Sequence, residues 1–312
     1  MNPHYNKHML ERLSSIPKTN LLKDKRIIIT GCGYKPLSKV FTDVVTKEPS
    51  HDSIEVDSKE MKLNIGSAIA GVLARNGAIV HMVSTSPEKL ENIKVNFSKI
   101  IEPNLIEYSA LDLLNESGVN KFVDKLPKDK SIYWVQSVGL GAGSYKLKDD
   151  NPYLPLEKID LGLIEVETLT VIKATHIIMK ALLPVFKKQK ESRVAIITSM
   201  SAIRGYSFGG THTTAKGAID RYANSSMLSL YKDNIFVTTI RPGGVDTGMY
   251  DNPKVQEAIK VISDEYKGIW RNKITLSPPT SVGEAINFVF TTPSHIPSVD
   301  IVAKGQFPNE GS

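Results

Sequence analysis

A single cysteine in 312 residues, Cys32, excludes an internal disulfide and any metal site built from several thiolates; it fits a reducing compartment and reads as a small loop filler rather than a nucleophile. Uninterrupted apolar runs such as Ala181–Phe186 fall far short of the roughly 20 residues of a membrane span. The polar start Met1–Ser15 lacks the apolar centre of a secretory signal, so the expected location is the cytoplasm, with no membrane partner. Aromatic residues are sparse. None interleaves with the densest basic run, Lys187, Lys188, Lys190 and Arg193, as single-strand binding would require, and nucleic acid is not an expected partner. That run closes a predicted helix, where cations meet the negative end of its dipole. Acidic residues number 33 against 39 Lys and Arg, a modest excess that suits a phosphate-rich ligand, a thioester or an acidic carrier but reads mostly as solvated surface.

What is present is an ordinary globular composition, 41% apolar and 23% charged, on a chain long enough for one large domain or two small ones. Short β-branched runs predict strands over Arg26–Thr30, Ala78–Val83, Leu105–Leu111, Ser131–Ser137, Arg193–Ser199, Ile235–Arg241 and Val299–Ala303. Amphipathic helices are predicted between them over Ile65–Arg75, Pro87–Ile100, Asn115–Lys125, Leu161–Lys188, Thr211–Lys232 and Ser281–Phe290. This alternation predicts an α/β fold with a parallel sheet and helices on both faces. Right-handed crossovers make it doubly wound.

Two segments exceed this plan. Residues 34–63 interrupt the step from the first strand to its helix; alternation in Val40–Thr46 and Ser53–Glu60 reads as a polar hairpin decorating the surface. Residues 246–273 follow the sixth strand and carry Met249, Tyr250, Tyr266, Ile269 and Trp270, as expected of a substrate lid. The domain plan is an extension over 1–22, one domain over 23–306 and a tail over 307–312.

The first strand ends in Thr30-Gly31-Cys32-Gly33, and the helix opens on Asn64-Ile65-Gly66; glycines there let a backbone approach a pyrophosphate, whose charge meets the amides of a helix N-terminus. Further motifs follow in order: Asp112-Leu113, Gln136-Ser137-Val138-Gly139, Ile197-Thr198-Ser199 and Pro242-Gly243-Gly244-Val245-Asp246-Thr247. From Lys23 to Gln306 the chain resembles the short-chain dehydrogenase/reductase superfamily. The resemblance implies a single Rossmann-type domain with seven parallel strands in order 3-2-1-4-5-6-7. It also implies a cofactor held by Gly31, Gly33, Asn64, Ile65 and Gly66, by Asp112 and Leu113 at the adenine, by Ser137, Gly139, Pro242, Gly243, Val245 and Thr247, and by Lys216 at the nicotinamide ribose. Departures are the inserted segment and Asn64 where a glycine is usual.

An acidic residue at the end of the second strand would bind the ribose hydroxyl of NAD and repel the 2′-phosphate of NADP. Ser84-Thr85-Ser86 stands there, so NADP(H) is expected in preference to NAD, although the usual arginine is missing; a polar turn with a helix cap is the other reading. The family's tyrosine stands thirteen residues after its serine and its lysine four further; counting from Ser199 gives His212 and Lys216, with Val171 in place of a relay asparagine. A helix puts His212 and Lys216 on one face. An imidazole can polarise a carbonyl and deliver a proton, so Ser199, His212 and Lys216 are the candidate catalytic residues, with Tyr206 and Tyr250 as conceivable substitutes. No metal is expected.

Three functions are compatible with these residues: an NADP(H)-dependent oxidoreductase of a carbonyl/alcohol pair; an enzyme of the same fold doing proton-transfer chemistry such as isomerisation, dehydration or cyclisation; and a non-catalytic dinucleotide-binding module. The lid's Lys267 and Arg271 could meet an anionic group, suiting a small-molecule or carrier-bound substrate. The resemblance further implies a homodimer or homotetramer, through Ala174, Ile178, Ala181 and Leu182 on one helix and Ala218, Tyr222, Ser225 and Leu228 on another.

Overall fold

The structure is a computed structural model that describes residues 10–139, 154–206, 208–266 and 274–306, without side chains over 261–266. The chain begins with a short helix α1 (Glu11–Ser15) and strand β1 (Lys25–Thr30), followed by β2 (Tyr34–Pro36), β3 (Ser53–Val56) and β4 (Lys59–Leu63). Alternation then sets in: α2 (Ile65–Arg75), β5 (Ile79–Ser84), α3 (Pro87–Phe97), β6 (Ile106–Ala110), α4 (Glu116–Lys125) and β7 (Ser131–Gln136). The second half runs α5 (Leu161–Phe186), β8 (Ser192–Ile197), α6 (Gly210–Leu230), β9 (Ile235–Pro242), α7 (Pro253–Tyr266), α8 (Pro279–Thr291) and β10 (Ser298–Ile301).

Seven strands form one parallel sheet in the order β6-β5-β1-β7-β8-β9-β10, the doubly wound arrangement expected from the alternation. Strand residues alternate between two cores. Ile27 and Ile29 of β1, with Tyr133 and Val135 of β7, face α2, α3 and α8; Ile28, Ile132 and Trp134 face α4, α5 and α6. A sheet covered on both faces needs apolar residues at nearly every position, and the four residues Arg26–Ile29 and all of β8 are buried accordingly.

α5 has the length and composition of a membrane span, with mean hydropathy 1.5 over its most apolar stretch, yet its inner stripe belongs to the second core. Ala174, Ile178 and Leu182, expected at a subunit interface, are buried in that core, because a helix lying on a sheet turns its most apolar face inward. Its exposed apolar residues are Leu161, Val166 and Leu169, and Leu228 is exposed on α6. Arg193, placed by sequence in the basic run, lies buried in β8 and donates to the Val289 carbonyl.

Segment 34–63 is not a polar surface hairpin. β2, β4 and β3 form a second, antiparallel sheet in that order, and Tyr34, Ile54, Val56 and Leu63 join the first core. Val40–Thr46 is not a strand: the Asp43 carboxylate accepts from the amides of Val45 and Thr46 and folds the chain into a turn, leaving Phe41 buried. The β3–β4 hairpin closes through Asp57 and Ser58, with φ of 51° and 60°. Such a turn favours glycine at its second central position, so Ser58→Gly is expected to raise stability by about 1 kcal/mol in a denaturant titration. The expected extension over 1–22 also carries core residues, since Leu13 and Leu22 are buried and Arg12 pairs with Asp52 at 2.7 Å.

Candidate active site

The carboxyl ends of β1, β5, β7, β8 and β9 open into one cleft of about 580 Å³, where an open α/β sheet ordinarily takes its ligand. At its floor the glycine turn is closed across the inserted segment. Gly31 has φ 91°, and a Cβ on it would stand 2.5 Å from the Ser137 carbonyl oxygen; a Cβ on Gly66 would stand 2.7 Å from that of Gly31. Only glycine fits either place. Asn64 needs no glycine conformation, having φ −81° at the N-cap of α2. Its Nδ2 donates to the Gly31 carbonyl at 2.8 Å, while Oδ1 accepts from Gly33 N at 3.1 Å and Ser67 N at 3.0 Å. Thus one side chain reunites what the insertion separates, at the cost of occupying the Ser67 amide. Ile65 and Gly66, in the first turn, have no intrahelical acceptor for their amides. Cys32 lies in this turn with its thiol pushed up to about 12 by burial, which makes it inert as a nucleophile.

At one end of the cleft stand Ser84, Thr85 and Ser86, together with Lys89, which sequence reasoning passed over. Ser86 caps α3, so the helix-cap reading holds for that residue, while Thr85 is exposed. Lys89 occupies the first turn of α3; its ammonium donates to the Tyr34 carbonyl at 3.2 Å and lies over the Tyr34 ring. The inserted segment therefore holds a cation beside three hydroxyls and a helix N-terminus, all suited to an anion. Asp112 and Leu113 are not in the cleft lining, contrary to expectation. The Asp112 carboxylate accepts from the Leu114 amide at 2.9 Å, and Leu113 fills the second core.

At the other end lie Ser199, His212 and Lys216, with Thr198, Met200, Ser201, Arg204, Tyr206, Met249 and Tyr250. Ser199 follows β8 in extended backbone. Its Oγ accepts from both the hydroxyl and the amide of Ser201, at 2.7 Å and 3.2 Å, and donates its own proton to the Pro242 carbonyl at 3.5 Å, a long bond that a ligand oxygen in the cleft can replace. His212 and Lys216 lie one turn apart at the start of α6, and Lys216 Nζ lies 3.6 Å from where a Cβ on Gly139 would stand. Burial first, and then the Lys216 charge, push the His212 imidazole down to about 3; burial pushes Lys216 down to about 8 against the pull of Glu167. The ring is therefore neutral at ordinary pH. In that state it can donate a hydrogen bond to a developing oxyanion.

Val171 is buried in the second core and does not reach the cleft. One turn earlier, Glu167 does, with its carboxyl held by Thr211 beside Lys216. Counting from a motif missed it because the relevant side chain sits four residues from the aligned position. Gly31, Gly33, Asn64, Ile65, Ser137, Gly139, Pro242, Gly243, Val245 and Thr247 all line the cleft; Gly66 lies beneath its floor. Met249, Tyr250 and Tyr206 share a small third core with Phe41 and with Val255 and Ile259 of α7, which makes the two tyrosines packing residues of the wall. The other expected lid residues, Tyr266, Lys267, Ile269, Trp270 and Arg271, lie outside the described side chains.

The short chain dehydrogenase family matches residues 63–258, well over half the chain. The chain belongs to that family. The match begins at Leu63, the last residue of β4 and of the inserted segment that divides the glycine turn. Relatives within it are distant. A 3-ketodihydrosphingosine reductase of Bacteroides thetaiotaomicron is 22% identical over 194 residues, 62% of this chain and 64% of that protein, so the chain spans just under two thirds of its length. An alcohol dehydrogenase from the archaeon Thermococcus sibiricus, complexed with 5-hydroxy-NADP, superposes with TM-score 0.63 at 20% identity over 91% of this chain and 99% of that one. An NADPH-bound short chain oxidoreductase of Pseudomonas aeruginosa with an atypical catalytic centre gives 0.65 at 15% identity over 90% and 96%. The short-chain dehydrogenase/reductase family is one of oxidoreductases built on the fold described above.

Proposed function

We propose that this short-chain dehydrogenase/reductase is an NADP(H)-dependent oxidoreductase that interconverts a carbonyl and an alcohol. The observation that carries the reading is the single cleft joining the Gly31–Gly66 turn, the Ser84–Ser86 and Lys89 end, and the Ser199, His212 and Lys216 end. The residues suit the dinucleotide: two glycines whose Cβ positions are closed by backbone, a helix N-terminus with open amides, and a cation with hydroxyls where a 2′-phosphate would lie. A reduced nicotinamide, when bound, supplies a hydride.

The chain's own residues do the rest. Ser199, oriented by the two bonds from Ser201, donates to the carbonyl oxygen. The neutral His212 adds a second donor, and the two stabilise the oxygen as charge develops on it. Lys216, beside Gly139, holds the ribose and sets the field on His212. Met200, Met249, Tyr206, Tyr250 and Ile259 give the substrate end an apolar wall, and Arg204 gives it a cation, which fits a partly apolar carbonyl compound bearing an anionic group.

The coenzyme preference makes a definite prediction. Thr85→Asp places a carboxylate at the proposed 2′-phosphate site and is expected to weaken NADPH by tenfold or more, roughly one to two charge-assisted contacts, while NADH is unaffected or improved. Nicotinamide fluorescence on titration measures both. Equal weakening of the two coenzymes would contradict the assignment of Ser84–Ser86 and Lys89. The activity itself is tested by following NADPH oxidation with a panel of aldehydes and ketones, with and without a carboxylate.

A further inference from the structure

Reduction of a carbonyl consumes one proton per turnover, and neither residue at the oxygen can store it. The Ser199 hydroxyl is too weak an acid, and the His212 ring is neutral, so direct loss of its N–H would leave an imidazolate. The cleft contains another group with no assigned task. Glu167, on α5, is nine-tenths buried and lines the same cavity; Thr211 holds its carboxyl, yet its Oε2 is buried without a hydrogen-bond partner. A buried orphan carboxylate oxygen is costly unless it serves as a protonated acid or meets a ligand.

We propose that Glu167 stores the proton taken up by the reacting oxygen, and that Lys216 and His212 pass it along. The proposal rests on the oxidoreductase reading above. Glu167 on α5 and His212 and Lys216, one turn apart on α6, line the same cleft, and the Lys216 charge acts on both of the other groups. As the hydride reaches the carbonyl carbon, the His212 N–H bond breaks and its proton bonds to the oxygen. The other ring nitrogen takes a proton from the Lys216 ammonium, and the lysine nitrogen takes the Glu167 carboxyl proton. The imidazole has changed tautomer but remains neutral, the ammonium is restored, and the carboxylate regains its proton from water.

The charges agree with such a chain. Burial raises the Glu167 carboxyl above the usual carboxylate range against the pull of Thr211 and Lys216, and lowers Lys216, so both move toward sharing a proton. The groups that act on Glu167 from α6 are Thr211 and Lys216, and its core-facing neighbours on α5, Leu163 and Val171, carry no charge.

The test uses Glu167→Gln, which keeps shape and a bond to Thr211 but holds no transferable proton, and Glu167→Asp, which keeps a carboxyl. First, ¹⁵N-lysine labelling without any dinucleotide follows the titration of Lys216, assigned by its absence in Lys216→Met. In Glu167→Gln its midpoint is expected to fall below that of the unaltered protein, since a neighbouring negative charge is gone. Second, turnover at saturating NADPH and carbonyl is expected to fall about 100-fold in Glu167→Gln, with partial recovery in Glu167→Asp and with NADPH affinity retained. The unaltered enzyme should lose reduction rate as pH rises through the Glu167 titration, and the Gln variant should lack that limb. An unmoved Lys216 midpoint, or full turnover in the Gln variant, overturns the relay. Failure of all forms to bind NADPH overturns the oxidoreductase reading and the relay with it, and the lysine titration still reports separately on whether Glu167 and Lys216 are coupled.

Discussion

Lys62→Met is expected to destabilise the fold by about 3–5 kcal/mol, the usual result of removing one partner of a buried ion pair. The Lys62 side chain is fully buried, with its ammonium 2.6 Å from Asp246 Oδ1 and 2.8 Å from Asp251 Oδ1, above the Phe41 ring. Asp246 is equally buried and also accepts from Ser50 Oγ at 2.9 Å; the other oxygen of Asp251 accepts from the amides of Ser38 and Lys39 and from the Ser38 hydroxyl. Methionine fills the space but removes the ammonium that both carboxylates share, leaving Asp246 only the His51 ring at 4.0 Å. Because Asp246 lies between Val245 and Thr247, both in the cleft lining, dinucleotide affinity should fall together with stability. Denaturant titration and fluorescence titration of the same samples measure the two effects. Lys62→Met combined with Asp246→Asn should recover part of the lost stability, since it removes one stranded charge. A shift below about 1 kcal/mol in the single variant would mean that the carboxylates find water, and that the inserted sheet is not clamped to the cleft by this lysine.

His212→Ala is expected to lower kcat by about 10²–10⁴-fold, the range associated with loss of a positioned proton-transfer group, while NADPH affinity changes little. His212→Tyr supplies a hydroxyl at the position where the family has its tyrosine and should retain much more activity than Ala. The pH profile of the unaltered enzyme discriminates further. Since the ring is charged only below about 3, its protonation should leave no limb between pH 5 and 8. Lys216 has a lowered pKa, so its ammonium is present at low pH and is lost as pH rises through about 8, and activity should decline there. A limb near the ordinary histidine pKa that disappears in His212→Ala but persists in Glu167→Gln would show that the imidazole titrates during turnover, against the burial described above.

The regular elements were legible because their signals are local. β1 and α2 fall within a residue of their expected bounds, since β-branched runs and helical periodicity report directly on which face is buried. Segment 34–63 was misread for a corresponding reason: Lys62, His51 and Asp52 look like solvent-facing residues, and their burial depends on partners near 246, 251 and 280, which no local pattern contains. Asp112 and Leu113 were carried over from a motif, whereas their places are decided by a turn and a core contact. Glu167 was missed because motif counting identifies a position, while function belongs to whichever side chain of the helix reaches the cavity. The charge state of His212 was hidden as well, for it depends on burial and on Lys216 acting together.

The most direct test of the account is titration of the unaltered protein with NADPH and NADH in parallel, following nicotinamide fluorescence. The account predicts saturable binding of both at the cleft, with NADPH the tighter by tenfold or more, as expected of a 2′-phosphate met by Lys89 and the hydroxyls of Ser84–Ser86. Binding of neither would contradict it. The Asn64-closed glycine turn would then be a structural joint, and the cleft would serve a ligand other than a dinucleotide.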